Sequence, residues 1–390
     1  MKNVGLIKIV NIFFAAVGIL VFGSSAVAQN KEITNRQVSD YFEEVKLITK
    51  KYQSVWDKDL YGPILIVNPY NRKTYSNCPD TIGILKKEGG IYIGELPKGV
   101  PVGNVTTQWG GRKWAMLLTI FLKDNKEDRV DLFTHELFHR AQSSLGFKRV
   151  NDLSNGHLDN KEGRVFLRLE LEALLQALKS DDDTISINHI HNALMFRKYR
   201  YQIFENAYQS EATIEINEGI ASYTGKVMRG LSREENTILM QFKIEEFISQ
   251  PSYIQLFEYQ TIPAYGFVLN RTNPKWNKTI TSDNNLTDFF NNSFSFNADT
   301  ITRNEINRLS KMYNGESIIE EETKIDADKK KTINAYKSKF IESPGFILPF
   351  ENKRVSYDTR YIITLDDYGV FYPTMTAKDY LGSLELKEGC

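Results

Sequence analysis

The chain opens, after its first thirty residues, on a helical period. Val38, Phe42, Val45, Leu47 and Ile48 recur at three- and four-residue spacing, which predicts one helix between Asn30 and about Lys58. Strand patterns follow. Gly62-Pro63 leads into Ile64-Leu65-Ile66-Val67, Ile91-Tyr92-Ile93 follows Gly89-Gly90, and Gly110-Gly111 precedes an apolar run from Trp114 to Leu122. The last of these runs is apolar on both faces, so it predicts a strand buried on both faces, in a small sheet with other elements packed on it. The pattern then returns to the helical period over Val130–Ser144, Arg164–Leu178, Ile190–Tyr208, Glu211–Met228 and Arg233–Ile248, with breaks at Asn155-Gly156 and Asp181–Asp183. An asparagine-rich stretch from Asn270 to Asn307 reads as a loop-rich connection. The charged run Glu320–Lys331 reads as a solvated helix face continuing to Ile341. Beyond Pro344 come short strand patterns at Phe346–Leu348, Tyr361–Ile363 and Val370–Tyr372. Strands, then helices, then strands predict an α+β protein: a small N-terminal mixed sheet packed on a mainly helical region, with a small C-terminal β segment.

The first 28 residues are set apart. Lys2 and Lys8 precede an apolar stretch from Ile9 to Phe22, and Ala26-Val27-Ala28 has the small-x-small form of a secretory cleavage site. The run is shorter than the ~20 residues of a membrane span. The expectation is a signal peptide over 1–28, a main domain over 29–310 (sheet 60–122, helices 129–250), and a helix plus β segment over 311–390. The product would be exported to the periplasm or beyond, with no stable membrane insertion. Cleavage would remove two lysines and no acids, leaving 47 basic and 49 acidic side chains where the full chain has 49 of each. So balanced a charge gives no field to gather nucleic acid, and no nucleic-acid partner is expected. Two cysteines, Cys78 and Cys390, are too few for a disulfide scaffold or a four-cysteine zinc site.

One motif carries chemistry: His135-Glu136-Leu137-Phe138-His139, inside a predicted helix. Histidines four apart share a helical face about 6 Å apart, so both imidazoles reach one ion. Neutral imidazole ligates zinc at about 2.0–2.1 Å, and Glu136 is left to act as base toward a metal-activated water. The chain spends two of its five histidines here. A catalytic zinc site needs a third protein ligand. Five downstream residues are candidates. His157 lies in a turn, Glu162 at a helix start, Glu170 on an inward face with Phe166, Ala173 and Ala177, and Glu172 on a solvated face. Glu218 lies in Asn217-Glu218-Gly219-Ile220-Ala221-Ser222, where small residues let the helix approach its neighbour.

The segments Thr134–Gln142 and Asn217–Gly225 (NEGIASYTG) together resemble the gluzincins, the thermolysin-like and aminopeptidase-like zinc metallopeptidases, and most closely bacterial members with an NEGLAEYTG-like segment. The resemblance covers roughly Trp109 to Gly225. It implies that His135, His139 and Glu218 bind one Zn2+ ion, that Glu136 is the catalytic base, and that a peptide or protein is the substrate. It also implies that the edge strand of a sheet upstream of the motif holds the substrate backbone, a place Arg112–Phe121 would fill. The sequence departs from the thermolysin pattern in two ways. Glu218 follows His139 by 79 positions, and Ser222 stands where an acidic residue often supports a histidine. Glu170 is the first choice to replace that partner, with Glu215 and Asp159 as alternatives. The expected chemistry is amide hydrolysis, with an oxyanion donor at Tyr265 in the Pro/Gly-framed segment Thr261–Gly266, and Tyr223 or His157 as alternatives. Two other classes stay open: a catalytically silent zinc-binding relative, and an exported binding protein using its aromatic-rich tail.

Overall fold

In the computed structural model, residues 33–148, 153–344, 354–357, 363–365, 368–379 and 382–386 are described. The proposed signal peptide and its cleavage site, Phe346–Leu348 and Cys390 lie outside them. Along the chain come α1 (Asn35–Lys51), β1 (Ile64–Val67), β2 (Lys73–Ser76), β3 (Lys86–Glu88), β4 (Ile91–Glu95), β5 (Val105–Trp109), β6 (Arg112–Leu118) and α2 (Lys126–Ala141). Then follow α3 (Lys161–Lys179), α4 (Asp183–Ile203), α5 (Ala207–Ile214), a π-helical turn (Glu215–Gly219), α6 (Ile220–Met228), α7 (Arg233–Ile248) and α8 (Glu258–Leu269). The chain closes with α9 (Leu286–Ser293), α10 (Arg303–Ser310), α11 (Gly315–Phe340) and five short strands, β7 to β11, between Arg354 and Leu386. This is the expected α+β class. None of the helices among the described residues is long and apolar enough to cross a membrane.

The chain forms two compact units. The first holds the described residues through 148 together with Ile220–Leu231 and Asn277–Ser282. Its sheet has the order β3-β4-β2-β1-β6-β5, with β1 and β6 parallel and every other pair antiparallel. Leu65, Val67, Trp114, Met116 and Leu118 face one side, where they cluster with Leu85, Leu96 and Trp109. The alternate residues Ile64, Ile66, Ala115 and Leu117 point to the opposite face and are fully buried too. The centre of the sheet is therefore covered on both sides, and α2 packs against β6 and β5. Because β1 pairs with β6, the strand that starts at Arg112 lies inside the sheet. The edge next to it is β5, which corrects the expectation that Arg112–Phe121 is the edge. Strand order follows from long-range pairing, which the apolar pattern of a single strand does not contain.

The second unit is mainly helical and takes in residues from 153 to Gly219, Ser232–Trp276 and those from Asp283 on. Helices α3 and α4 form its most extensive pairing, and α8 packs on α3 and on the π turn. Within the connection read as loop-rich, α9 forms, capped by Asn285, whose side chain accepts from the Thr287 and Asp288 amides. Thr261–Gly266, read from Pro263 and Gly266 as a turn, lies inside α8. A proline inside a helix costs about 3 kcal/mol. Every residue from Glu258 to Gly266 is buried, so packing supplies what propensity withholds.

Candidate metal centre

Helix α2 starts at Asn125, whose side chain accepts from the Asp128 amide, and Glu127 and Asp128 occupy its first turn, where negative charge is favoured. Val130, Phe133, Leu137 and Phe138 are buried along it. That burial fixes the rotation of the helix and with it the direction of His135, Glu136 and His139. His135 and Glu136 are buried as well, at 5% and 4% exposure. The two imidazoles meet Nε2 to Nε2 at 3.0 Å, with their rings at 79°. Two nitrogens on one tetrahedral zinc, at about 2.0–2.1 Å each, would stand about 3.3 Å apart. The observed spacing fits a shared ion. His139 Nδ1 lies 3.1 Å from Gln142 Oε1. An amide oxygen only accepts, so Nδ1 carries the proton and Nε2 keeps its lone pair for a metal.

The continuous helical run from Ala207 to Met228 supplies the other ligand. Its last nine residues, α6, pack on α2 within the first unit. Gly225 allows close contact there: a Cβ at this position would stand 2.1 Å from Asp131 Oδ1 and 2.9 Å from the Asp131 carbonyl. Glu218 sits two residues before α6 in the same run, and its ligand atom and those of His135 and His139 all lie within 4.8 Å of one another. Among the described residues these three form the group able to hold a metal ion.

The remaining candidates have other partners. His157 Nε2 pairs with Glu211 at 2.7 Å, and Glu162 pairs with Arg303 at 2.6 Å. Glu172 accepts from Gln176 at 3.1 Å. Asp159 accepts from Ser252 and from the Tyr253 amide. Glu170 faces inward and is fully buried, but its oxygens go to Arg197 (2.6 Å) and Arg200 (2.8 Å), and it accepts from the Tyr265 hydroxyl at 3.0 Å. This corrects both expectations for that pair. The Glu170 carboxylate pairs with two guanidiniums, not with a histidine of the HExxH motif. Tyr265, fully buried and stacked on Phe290, gives its proton to Glu170 and is not available to a substrate. Burial also pushes the Tyr265 phenol well above its usual pKa, reinforced by the charge of Glu170.

Two side chains that sequence reasoning passed over touch the candidate ligands. Gln142 orients His139, and its signal was present in the sequence as a residue three beyond His139 on the same face. Tyr259 donates from its hydroxyl to Glu218 Oε2 at 2.8 Å. It stands 41 positions beyond Glu218 and six before Tyr265 on α8, and no local pattern marks it. Glu258 is also nearby: its carbonyl oxygen would lie 3.3 Å from a Cβ at Gly219. Its carboxyl is fully buried, and desolvation drives its pKa well above the usual carboxylate range, with Glu218 adding to the effect. Comparison with known proteins returns no match for this chain, whether to a family model, a curated protein or a solved structure.

Proposed function

We propose that the protein is an exported zinc-dependent metallopeptidase, with His135, His139 and Glu218 as metal ligands and Glu136 as general base. The observation that carries this reading is the convergence of the two Nε2 atoms, 3.0 Å apart, with the Glu218 carboxylate, next to a buried Glu136. The donor set suits zinc: two neutral imidazoles and one carboxylate are a common catalytic combination that leaves one position open. When bound, zinc polarises the scissile carbonyl and makes water acidic enough to lose a proton near neutral pH. Gln142 holds His139 in the tautomer that leaves Nε2 free. Tyr259, by donating to Oε2 of Glu218, helps fix the orientation of that carboxylate. Glu136, adjacent in sequence to His135 and not needed as a ligand, takes a proton from the attacking water and returns it to the leaving amine. A purely structural zinc site has no use for such a base. The proposed export rests on the N-terminal sequence, Lys2 to Ala28.

The test pairs two variants of the mature protein. Glu218→Ala should lose zinc, whereas Glu136→Gln should keep it and lose peptide hydrolysis. Wild-type zinc content in Glu218→Ala would remove that residue from the site.

A further inference from the structure

We propose that Arg197 and Thr261 are positioning residues which, acting through Glu215, hold the π turn in the winding that presents Glu218 to the metal. The proposal rests on the reading of Glu218 as a ligand.

It starts from helix geometry. In an α-helix, residues three apart stand about 60° from each other around the axis, so Glu215 and Glu218 would share one face. The wider π winding over Glu215–Gly219 turns them further apart. The two carboxylates accordingly have separate partners. Glu215 takes a bidentate pair from Arg197, at 2.7 and 2.9 Å, and a 2.8 Å hydrogen bond from the Thr261 hydroxyl. Glu218 takes the 2.8 Å bond from Tyr259. Tyr259 and Thr261 are two apart on α8, so they leave that helix in divergent directions, about 160° apart. One helix thus clasps the π turn on both carboxylates, which the divergence of Glu215 and Glu218 permits.

A π turn is rare and appears mostly as a single-turn bulge inside an α-helix, frequently at a functional site. Here the holding groups are all buried: Arg197, Thr261 and Glu215 are each fully inaccessible. Arg197 is itself fixed by Glu170 at 2.6 Å and donates to Thr287 at 3.1 Å, so its fork is aimed before Glu215 arrives. If the bonds to Glu215 were weakened, the segment would be free to rewind toward α geometry. Glu218 would then rotate away from the direction in which Tyr259 holds it.

The experiment measures zinc affinity by chelator competition on the full mature protein. Thr261→Val removes the hydroxyl with little change of shape, and Thr261→Ser keeps it. Glu215→Gln is a second probe of the same contact. Thr261→Val and Glu215→Gln are expected to bind zinc about tenfold more weakly, with Thr261→Ser near wild type; supporting residues of ligands typically have effects of this size or larger. Tyr253→Phe, which removes a buried hydroxyl bonded to the Ile248 carbonyl in the same unit, serves as the control for simple destabilisation. The proposal is overturned if Thr261→Val and Glu215→Gln bind zinc like wild type while Glu218→Ala loses it. It is also overturned if Tyr253→Phe weakens zinc as much as Thr261→Val does at matched stability. If wild type and Glu218→Ala bind zinc equally, the ligand reading fails and the proposal fails with it.

Discussion

Gly219 is where the close packing of the π turn on α8 is easiest to perturb. A Cβ built there would stand 2.4 Å from Ile262 Cγ1, 2.9 Å from Ile262 Cβ and 3.3 Å from the Glu258 carbonyl oxygen. Gly219→Ala therefore sets two effects against each other. Replacing glycine by alanine within a helical run gains up to about 1 kcal/mol in backbone terms. Overpacking a buried contact costs about 1–3 kcal/mol, and Ile262 is fully buried with nowhere to retreat. Set against a gain of about 1 kcal/mol, the overpacking term should leave a net loss of up to about 2 kcal/mol. Zinc should bind more weakly too, because any shift of Gly219 moves the adjacent Glu218. Denaturant unfolding and chelator competition read the two consequences. The Gly219→Ala/Ile262→Ala double variant sharpens the test. Removing Ile262 Cγ1 takes away the 2.4 Å contact but leaves Cβ and the Glu258 backbone in place, so the double variant should lose less than the sum of its single variants while retaining part of the strain. A Gly219→Ala protein as stable as wild type, with additive losses in the double variant, would refute the close approach of the π turn to α8.

Two further predictions concern the second unit. Burial alone would raise the Glu211 pKa, but the ion pair and hydrogen bond from Arg200, with the hydrogen bond from His157, outweigh it and hold the carboxyl at about 2. A depressed carboxyl contributes its stability above the unfolded value and loses it as pH falls toward the folded one. About 3 kcal/mol should therefore disappear between about pH 4.5 and pH 2. Glu211→Gln should flatten that limb of the denaturant-midpoint profile; wild-type and variant profiles that stay parallel would contradict this. Tyr259→Phe removes the 2.8 Å bond to Glu218 and should weaken zinc about tenfold or more without changing the fold. Wild-type affinity in a chelator titration of that variant would deny Tyr259 its role.

What the sequence made legible was local. The histidine pair could be read because four-residue spacing on a helix is itself a geometric statement, and the apolar residues around it set the rotation of α2. The inward face of Glu170 was legible by the same periodicity, but periodicity reports burial and not partners. Arg197 and Arg200, 27 and 30 positions away, decide what Glu170 does. Tyr265 illustrates the same limit. Proline and glycine nearby suggested a turn, whereas complete burial of the segment carries α8 through Pro263. The run Glu211–Met228 read as one helix, and its period is right at both ends. The π turn in the middle depends on Arg197, Thr261 and Ile262, which come from other parts of the chain. Edge and centre of the sheet likewise follow from the parallel pairing of β1 with β6, a long-range choice absent from either strand alone.

The central claim is that His135, His139 and Glu218 hold zinc for a reaction in which Glu136 handles the proton. The most direct measurement compares wild type and Glu136→Gln for bound zinc and for hydrolysis of a peptide library, side by side. One zinc per chain in both, with hydrolysis by wild type falling by orders of magnitude in the variant, is the predicted result. Equal hydrolysis by the two proteins, or no zinc in wild type, would contradict it.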